Sequence, residues 1–144
     1  MSQIRRAKVV SAGRIQQGHA KASKRVYPEG LYGATLRRLR IAPNKVRLVV
    51  NQIRGESVNR ARETLRYSHK RAAYYLDRVI LSALGNADAK SAGAVGADNL
   101  YVMEAYCDEG PRFRRFKAGP MGRGRPIIRR SCHLTVVLGR KEED

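Results

Sequence analysis

Residues 110–130 read Gly110-Pro111-Arg112-Phe113-Arg114-Arg115-Phe116-Lys117-Ala118-Gly119-Pro120-Met121-Gly122-Arg123-Gly124-Arg125-Pro126-Ile127-Ile128-Arg129-Arg130. Eight of these residues are Arg or Lys, none is acidic, and four glycines and three prolines punctuate the run from 110 to 126. On its N-terminal side the pattern alternates, with Leu100, Val102, Glu104 and Tyr106 on one face and Tyr101, Met103, Ala105 and Cys107 on the other. On its C-terminal side Ile128, Cys132, Leu134, Val136 and Leu138 keep a period of two around Arg130. A period of two predicts strands, and about sixteen residues between them is long for a hairpin loop. If the strands continue into the segment, the arm from Cys107 to its tip is about twelve residues, on the order of 40 Å at ~3.3 Å per residue. A core of this size cannot bury such an arm. A protruding basic arm needs something to lie in.

Towards the N-terminus the period becomes helical. Ala34–Ile41 is short and partly alternating and reads as a first strand. Pro43 suits the first turn of a helix, and Val46, Val49, Val50 and Ile53 follow at i, i+3, i+4 and i+7. Gly55 stands where a left-handed C-terminal cap belongs. Lys45, Arg47, Asn51 and Arg54 lie opposite the apolar face, free to meet a partner. Ser57 is placed to cap a second helix that buries Val58, Ala61 and Leu65. Ser68 is placed to cap a third, with Ala72, Leu76, Val79, Ile80, Ala83 and Ala87 at helical spacing. Ser91–Gly96 reads as a loop.

The whole chain has 144 residues, 30 Lys+Arg and 12 Asp+Glu, for a formal net charge of +18. That length is one small domain plus an arm or a tail, and a hydrophobic share of 42% is enough for a modest core. No run approaches the roughly 20 apolar residues that span a bilayer, and the opening MSQIRRAKVV lacks the apolar middle of a secretory signal. A membrane is therefore not an expected partner. The charge is uneven. Residues 1–30 carry seven basic residues and one acid and show no sustained period, which predicts a mostly irregular basic extension. Residues 31–109 hold 13 basic and 8 acidic residues, residues 110–130 hold eight and none, and the last fourteen sum to −1. Of the basic residues 22 are Arg and 8 Lys. Arg forks onto phosphate and stacks on bases, whereas Lys is a hydrated point charge. The excess and its chemistry point to nucleic acid.

Catalysis finds little support. His19, His69 and His133 fall in separate segments, in no H-x-x-x-H or H-E-x-x-H pattern, and no Walker-type phosphate loop is present. Asp88, Asp98, Glu104, Asp108 and Glu109 could in principle hold Mg²⁺, but more simply balance nearby arginines. Cys132 falls on the apolar side of a strand and behaves as a small hydrophobe. It and Cys107, even if the hairpin sets them near each other, are expected to stay reduced. The expectation is no enzyme, no cofactor and no metal. Phe113 and Phe116 lie inside the basic arm, where each either stacks on a base or pins the arm to itself.

Several stretches together resemble one family. Ile41-Ala42-Pro43-Asn44-Lys45-Val46-Arg47-Leu48-Val49 with Ile53-Arg54-Gly55 is similar to the first-helix signature of the bacterial-type large-subunit ribosomal protein L-twenty-two family. Glu109-Gly110-Pro111, Arg114-Arg115, Gly122-Arg123 and Ile128-Arg129-Arg130-Ser131-Cys132-His133-Leu134-Thr135-Val136-Val137 resemble its hairpin and last strand. Ser82-Ala83-Leu84-Gly85-Asn86-Ala87 is similar to its S-A-x-x-N-A run. The resemblance covers about residues 32–138 in the family's order. It implies a globular part on the outside of the large subunit near the exit of the peptide tunnel. It also implies a hairpin that threads between rRNA domains, early in assembly, to a tip in the tunnel wall where macrolides act. The tip departs from the family pattern: Gly119 and Met121 stand where cations are usual, with Lys117 and Arg125 as compensating charges, and Ala42 stands where a Ser is usual before Pro43.

The expected fold is α+β, with three helices packed on a small antiparallel sheet, a long protruding β-hairpin and a basic N-terminal extension. Residues 1–30 form the extension, and 31–144 a single globular domain including the arm at about 108–130. The expected function is that of a structural constituent of the large ribosomal subunit that binds and braces large-subunit (23S-type) rRNA, its tip lining the exit tunnel. The expected rRNA-binding residues are Lys45, Arg47, Arg54, Arg112, Arg114, Arg115, Lys117, Arg123, Arg125, Arg129, Arg130 and His133, and the tip is Gly119, Pro120, Met121 and Gly122. Partners beyond rRNA are neighbouring large-subunit proteins and, in passing, the nascent peptide, in the cytoplasmic ribosome. The alternative is a free-standing RNA chaperone or nucleoid-type binder.

Overall fold

The computed structural model describes residues 27, 28, 30–91, 93 and 95–140. The expected irregular extension lies outside the described residues except for Tyr27, Pro28 and Gly30. The order is β1 (Leu31–Leu39), α1 (Pro43–Ile53), α2 (Val58–Tyr67), α3 (Arg71–Ser91), β2 (Leu100–Ala118) and β3 (Gly124–Arg140), with short 3₁₀ turns at Ala97–Asn99 and Pro120–Gly122. The strands form one antiparallel sheet in the order β1-β3-β2. Three helices on a small antiparallel sheet with a long hairpin is the architecture the sequence implied.

Apolar period explains each element. α1 buries Pro43, Val46, Val49, Val50 and Ile53; α2 buries Val58, Ala61 and Leu65. α3 buries the expected stripe and, besides it, Ala73, a fourth alanine on its buried face. These faces meet Leu100, Val102, Ala105, Leu134, Val136 and Leu138 in one core. β3, being central, is buried along Ser131–Cys132 and Leu134–Leu138, and Thr135 satisfies its hydroxyl against that of Thr35 at 3.2 Å.

The helix ends differ in detail from the expectations. Ala42 precedes α1 with no side-chain cap, and Ser57 precedes α2 without making one. Ser68 does not cap α3. It closes α2, its hydroxyl accepting from Lys70 N–H at 3.5 Å. Gly55 is left-handed, at φ 82°, but as the third residue of a type II turn rather than a helical cap. Arg54 before it is extended at ψ 126°, and Glu56 N–H donates to Ile53 O at 3.3 Å. That turn lets Gly55 N–H donate to Val102 O and Glu56 O accept from Val102 N–H, both at 2.9 Å, which stitches the α1–α2 connection to β2.

Bulges correct the strand reading. β1 starts at Leu31 and stops at Leu39, earlier than the strand expected over 34–41, because Ile41 N–H turns back to Leu39 O at 2.9 Å. In β2 the register slips between Val102↔Leu138 and Glu104↔Val137. The extra residue switches faces, so the core side is Leu100, Val102, Ala105 and Cys107, and Met103 and Glu104 are both exposed. The faces expected from unbroken alternation are therefore wrong beyond Val102.

Candidate nucleic-acid interface

The arm leaves the core at a second bulge. Glu109 pairs with Cys132 and Arg112 with Arg130, so Gly110 and Pro111 together oppose Ser131. Pro111, with no N–H to give, is suited to an irregularity in the ladder. Ser131 Oγ donates to Pro111 O at 2.6 Å. A Cβ on Gly110 would lie 2.7 Å from that hydroxyl oxygen, so any larger residue there must displace the Ser131 hydroxyl. Arg112 bonds Glu109 across the bulge. That bond, and then the Arg112 charge, hold the Glu109 carboxyl below the usual carboxylate range.

Beyond this pivot the strands continue paired to Ala118↔Gly124, through what the sequence first offers as a loop. Arg112, Arg114, Phe116 and Ala118 share one face with Arg130, Ile128, Pro126 and Gly124; Phe113, Arg115 and Lys117 share the other with Arg129, Ile127 and Arg125. Cations therefore populate both faces. Arg112, Arg114, Arg115, Lys117, Arg123, Arg125, Arg129 and Arg130 are all exposed. Phe113 is 49% exposed and Phe116 81%, so neither is pinned into a core. One cross-strand pair, Lys117↔Arg125, sets like charges opposite each other, an unfavourable arrangement in an isolated sheet, whereas Arg112↔Arg130 has the Glu109 carboxylate beside it. A two-stranded ribbon is marginal by itself.

At the tip Gly119 N–H donates to Arg123 O at 2.6 Å, closing the loop. Met121 is left-handed, at φ 58° and ψ 36°, an uncommon conformation for a non-glycine residue. It projects almost wholly into solvent.

The helical candidates are placed differently. Lys45 is exposed. Arg47 is not free: its Nε and Nη2 donate to Cys107 O at 3.4 and 3.2 Å, and its Nη1 to Asn44 Oδ1 at 3.3 Å. Arg54 Nη2 donates to Ala105 O at 2.6 Å. The two guanidiniums thus cover carbonyls on the outer edge of β2, which otherwise would be an open template for another strand. Both keep further N–H donors on exposed groups. His133 sits apart from the arm, where its Nδ1 accepts the Arg38 N–H at 3.0 Å. Arg38, at φ 57°, is the odd residue of the β1 bulge, and no periodicity in the sequence signals either role.

Cys107 and Cys132 are free and buried. Burial and a hydrogen bond between the two thiols push Cys107 up to about 12, and burial raises Cys132 as well. Both are packed as small core residues. Among the described residues no cluster of His, Cys, Asp or Glu is arranged to hold a metal, and no helix is long and apolar enough to cross a membrane.

A family model described as "Ribosomal protein L22p/L17e" matches residues 34–139. "Large ribosomal subunit protein uL22" of Thermus thermophilus, the same in two separate strains of that organism, is 46% identical over 108 residues, covering 75% of this chain and 94% of the relative.

Proposed function

The chain belongs to the ribosomal protein L22p/L17e family, and from that premise we propose that it braces large-subunit rRNA through its basic arm. Membership makes it a structural constituent of the large ribosomal subunit and places it in the ribosome. The reading of the arm rests chiefly on one observation: beyond the Gly110–Ser131 pivot, a paired ribbon carries eight cations, no acid and almost no buried side chain.

The mechanism is charge neutralisation with bracing. Arginines on both faces fork onto phosphates of separate RNA segments, and counterions released from the RNA drive association. A phosphate entering between Lys117 and Arg125 turns a repulsive pair into a shared contact. The ribbon's backbone ladder then fixes the distance between the segments it touches. Phe113 and Phe116, being exposed, offer ring faces to unpaired bases. Lys45, Arg47 and Arg54 extend the basic surface onto α1. The tip, Gly119–Gly122, reaches the wall of the exit tunnel, where Met121 presents an apolar side chain in place of a usual cation. Neighbouring large-subunit proteins and the passing nascent peptide are further contacts, in the cytoplasmic ribosome.

Sedimentation tests this. The chain stays with large subunits through a high-salt wash, whereas a free-standing RNA chaperone or nucleoid-type binder is stripped off.

A further inference from the structure

The groove between β1 and α3 plays no part in the arm's contacts. It is a half-open cleft of about 340 Å³. Ala34, Leu36 and Val79 supply apolar lining, Tyr74 and Tyr75 an aromatic one, and Arg78 the charge. The two rings meet edge to face, centroids 5.4 Å apart at 80°. Helical spacing holds each ring under its own arginine. Arg78, four residues after Tyr74, puts its guanidinium carbon 5.7 Å from that ring and donates to its hydroxyl at 2.8 Å. Arg71, four residues before Tyr75, stands 6.0 Å from that ring. Tyr75 packs against the core, while Tyr74 is 60% exposed.

We propose that this cleft is a second RNA site, taking one unstacked base of a single-stranded rRNA segment, with its phosphates on Arg71, Arg78 and nearby Arg37. Charge decides the occupant. These three arginines are exposed at or beside the groove, and no acid lines it. A protein partner would need an acidic patch matched to such a rim. RNA brings phosphate and a planar base together. An exposed tyrosine beside an arginine meets both, by stacking and by cation-assisted phosphate contact. A duplex, whose bases are already stacked, has nothing to offer the rings. The proposal shares with the arm the reading that RNA is the partner, but none of the arm's residues.

The test compares two RNA probes by fluorescence anisotropy on the full chain: a single-stranded uridine decamer and an RNA duplex of similar charge. Tyr74→Ala weakens decamer binding by roughly tenfold, the effect of losing one stacked base, and leaves duplex binding within about twofold; Tyr74→Phe binds as the parent does. The arm variant Arg123→Glu/Arg125→Glu weakens both probes. Equal losses on both probes, or none on either, for Tyr74→Ala overturn the cleft proposal; an unchanged arm variant instead overturns the arm reading and leaves the cleft standing. Photocrosslinking of a 4-thiouridine decamer to the unmutated chain needs no variant to fold. Adducts on Tyr74 or Tyr75 support the site. Adducts confined to the arm overturn it, as would be seen if the groove takes a neighbouring protein instead.

Discussion

Replacing Gly110 by Ala should misalign the whole arm through one atom. The new Cβ stands 2.7 Å from Ser131 Oγ and 3.2 Å from Cys132 N. Gly110 has no positive φ, so the effect is steric. The flexible atom yields first: the hydroxyl swings away and gives up its 2.6 Å bond to Pro111 O. Losing that bond costs about 1 kcal/mol, and crowding against the β3 backbone adds about 1 kcal/mol more. Gly110→Ala therefore loses about 2 kcal/mol in urea unfolding, with an unchanged m-value. Ser131→Ala alone loses only the hydrogen bond, about 1 kcal/mol. In the double variant the hydroxyl is no longer there to be lost a second time or displaced. It should therefore be more stable than the sum of the two singles by about 1 kcal/mol. Strict additivity, or a Gly110→Ala chain that unfolds like the parent, would refute the pivot.

Three further outcomes follow from particular contacts. His133→Phe leaves the Arg38 N–H without its acceptor and costs about 1 kcal/mol, while the salt slope of rRNA binding stays put; a slope reduced by about one charge would show His133 at a phosphate instead. Met121→Val puts a β-branched residue into a left-handed position, so loss of about 1 kcal/mol of loop stability should speed hydrogen exchange at Gly119 N–H roughly fivefold, and an unchanged rate contradicts the tip geometry. The native Cys107 thiol keeps its proton to about pH 12, whereas the unfolded chain releases it near 9.0. The folded state binds more protons in that window, so this group leaves stability level below pH ~9 and lowers it above, by up to about 1.4 kcal/mol per pH unit. Urea midpoints at pH 8 and pH 10 should thus fall further for the parent than for Cys107→Ala, and parallel profiles would count against the buried thiol.

Periodicity made the helices legible: Val46 to Ile53 and Leu76 to Ala87 are buried as their spacing requires. The arm was legible too, because alternation on both sides of a charge-dense segment leaves few other readings. Four kinds of feature escaped. Bulges hide in the sequence, since one inserted residue at Met103 reverses a face without changing composition. Long-range polar bonds hide as well. Arg47 and Arg54 read as a free basic face, yet they seal carbonyls 60 and 51 residues away, and His133 serves a bulged N–H on another strand. Ser68 shows the third case: one side chain fits the end of α2 and the start of α3 equally well by spacing, and only the backbone decides. The Tyr74–Tyr75 groove had no signal at all, because α3 meets β1 only in the folded chain.

The central claim is that the ribbon beyond Gly110 lies against RNA along both of its faces. A density map of large ribosomal subunits carrying this chain tests it most directly. It should show Arg112–Arg130 threaded between rRNA segments, with guanidiniums on each face within hydrogen-bonding distance of phosphates from different segments. A ribbon lying free in solvent, with RNA on the helical domain alone, would contradict the account.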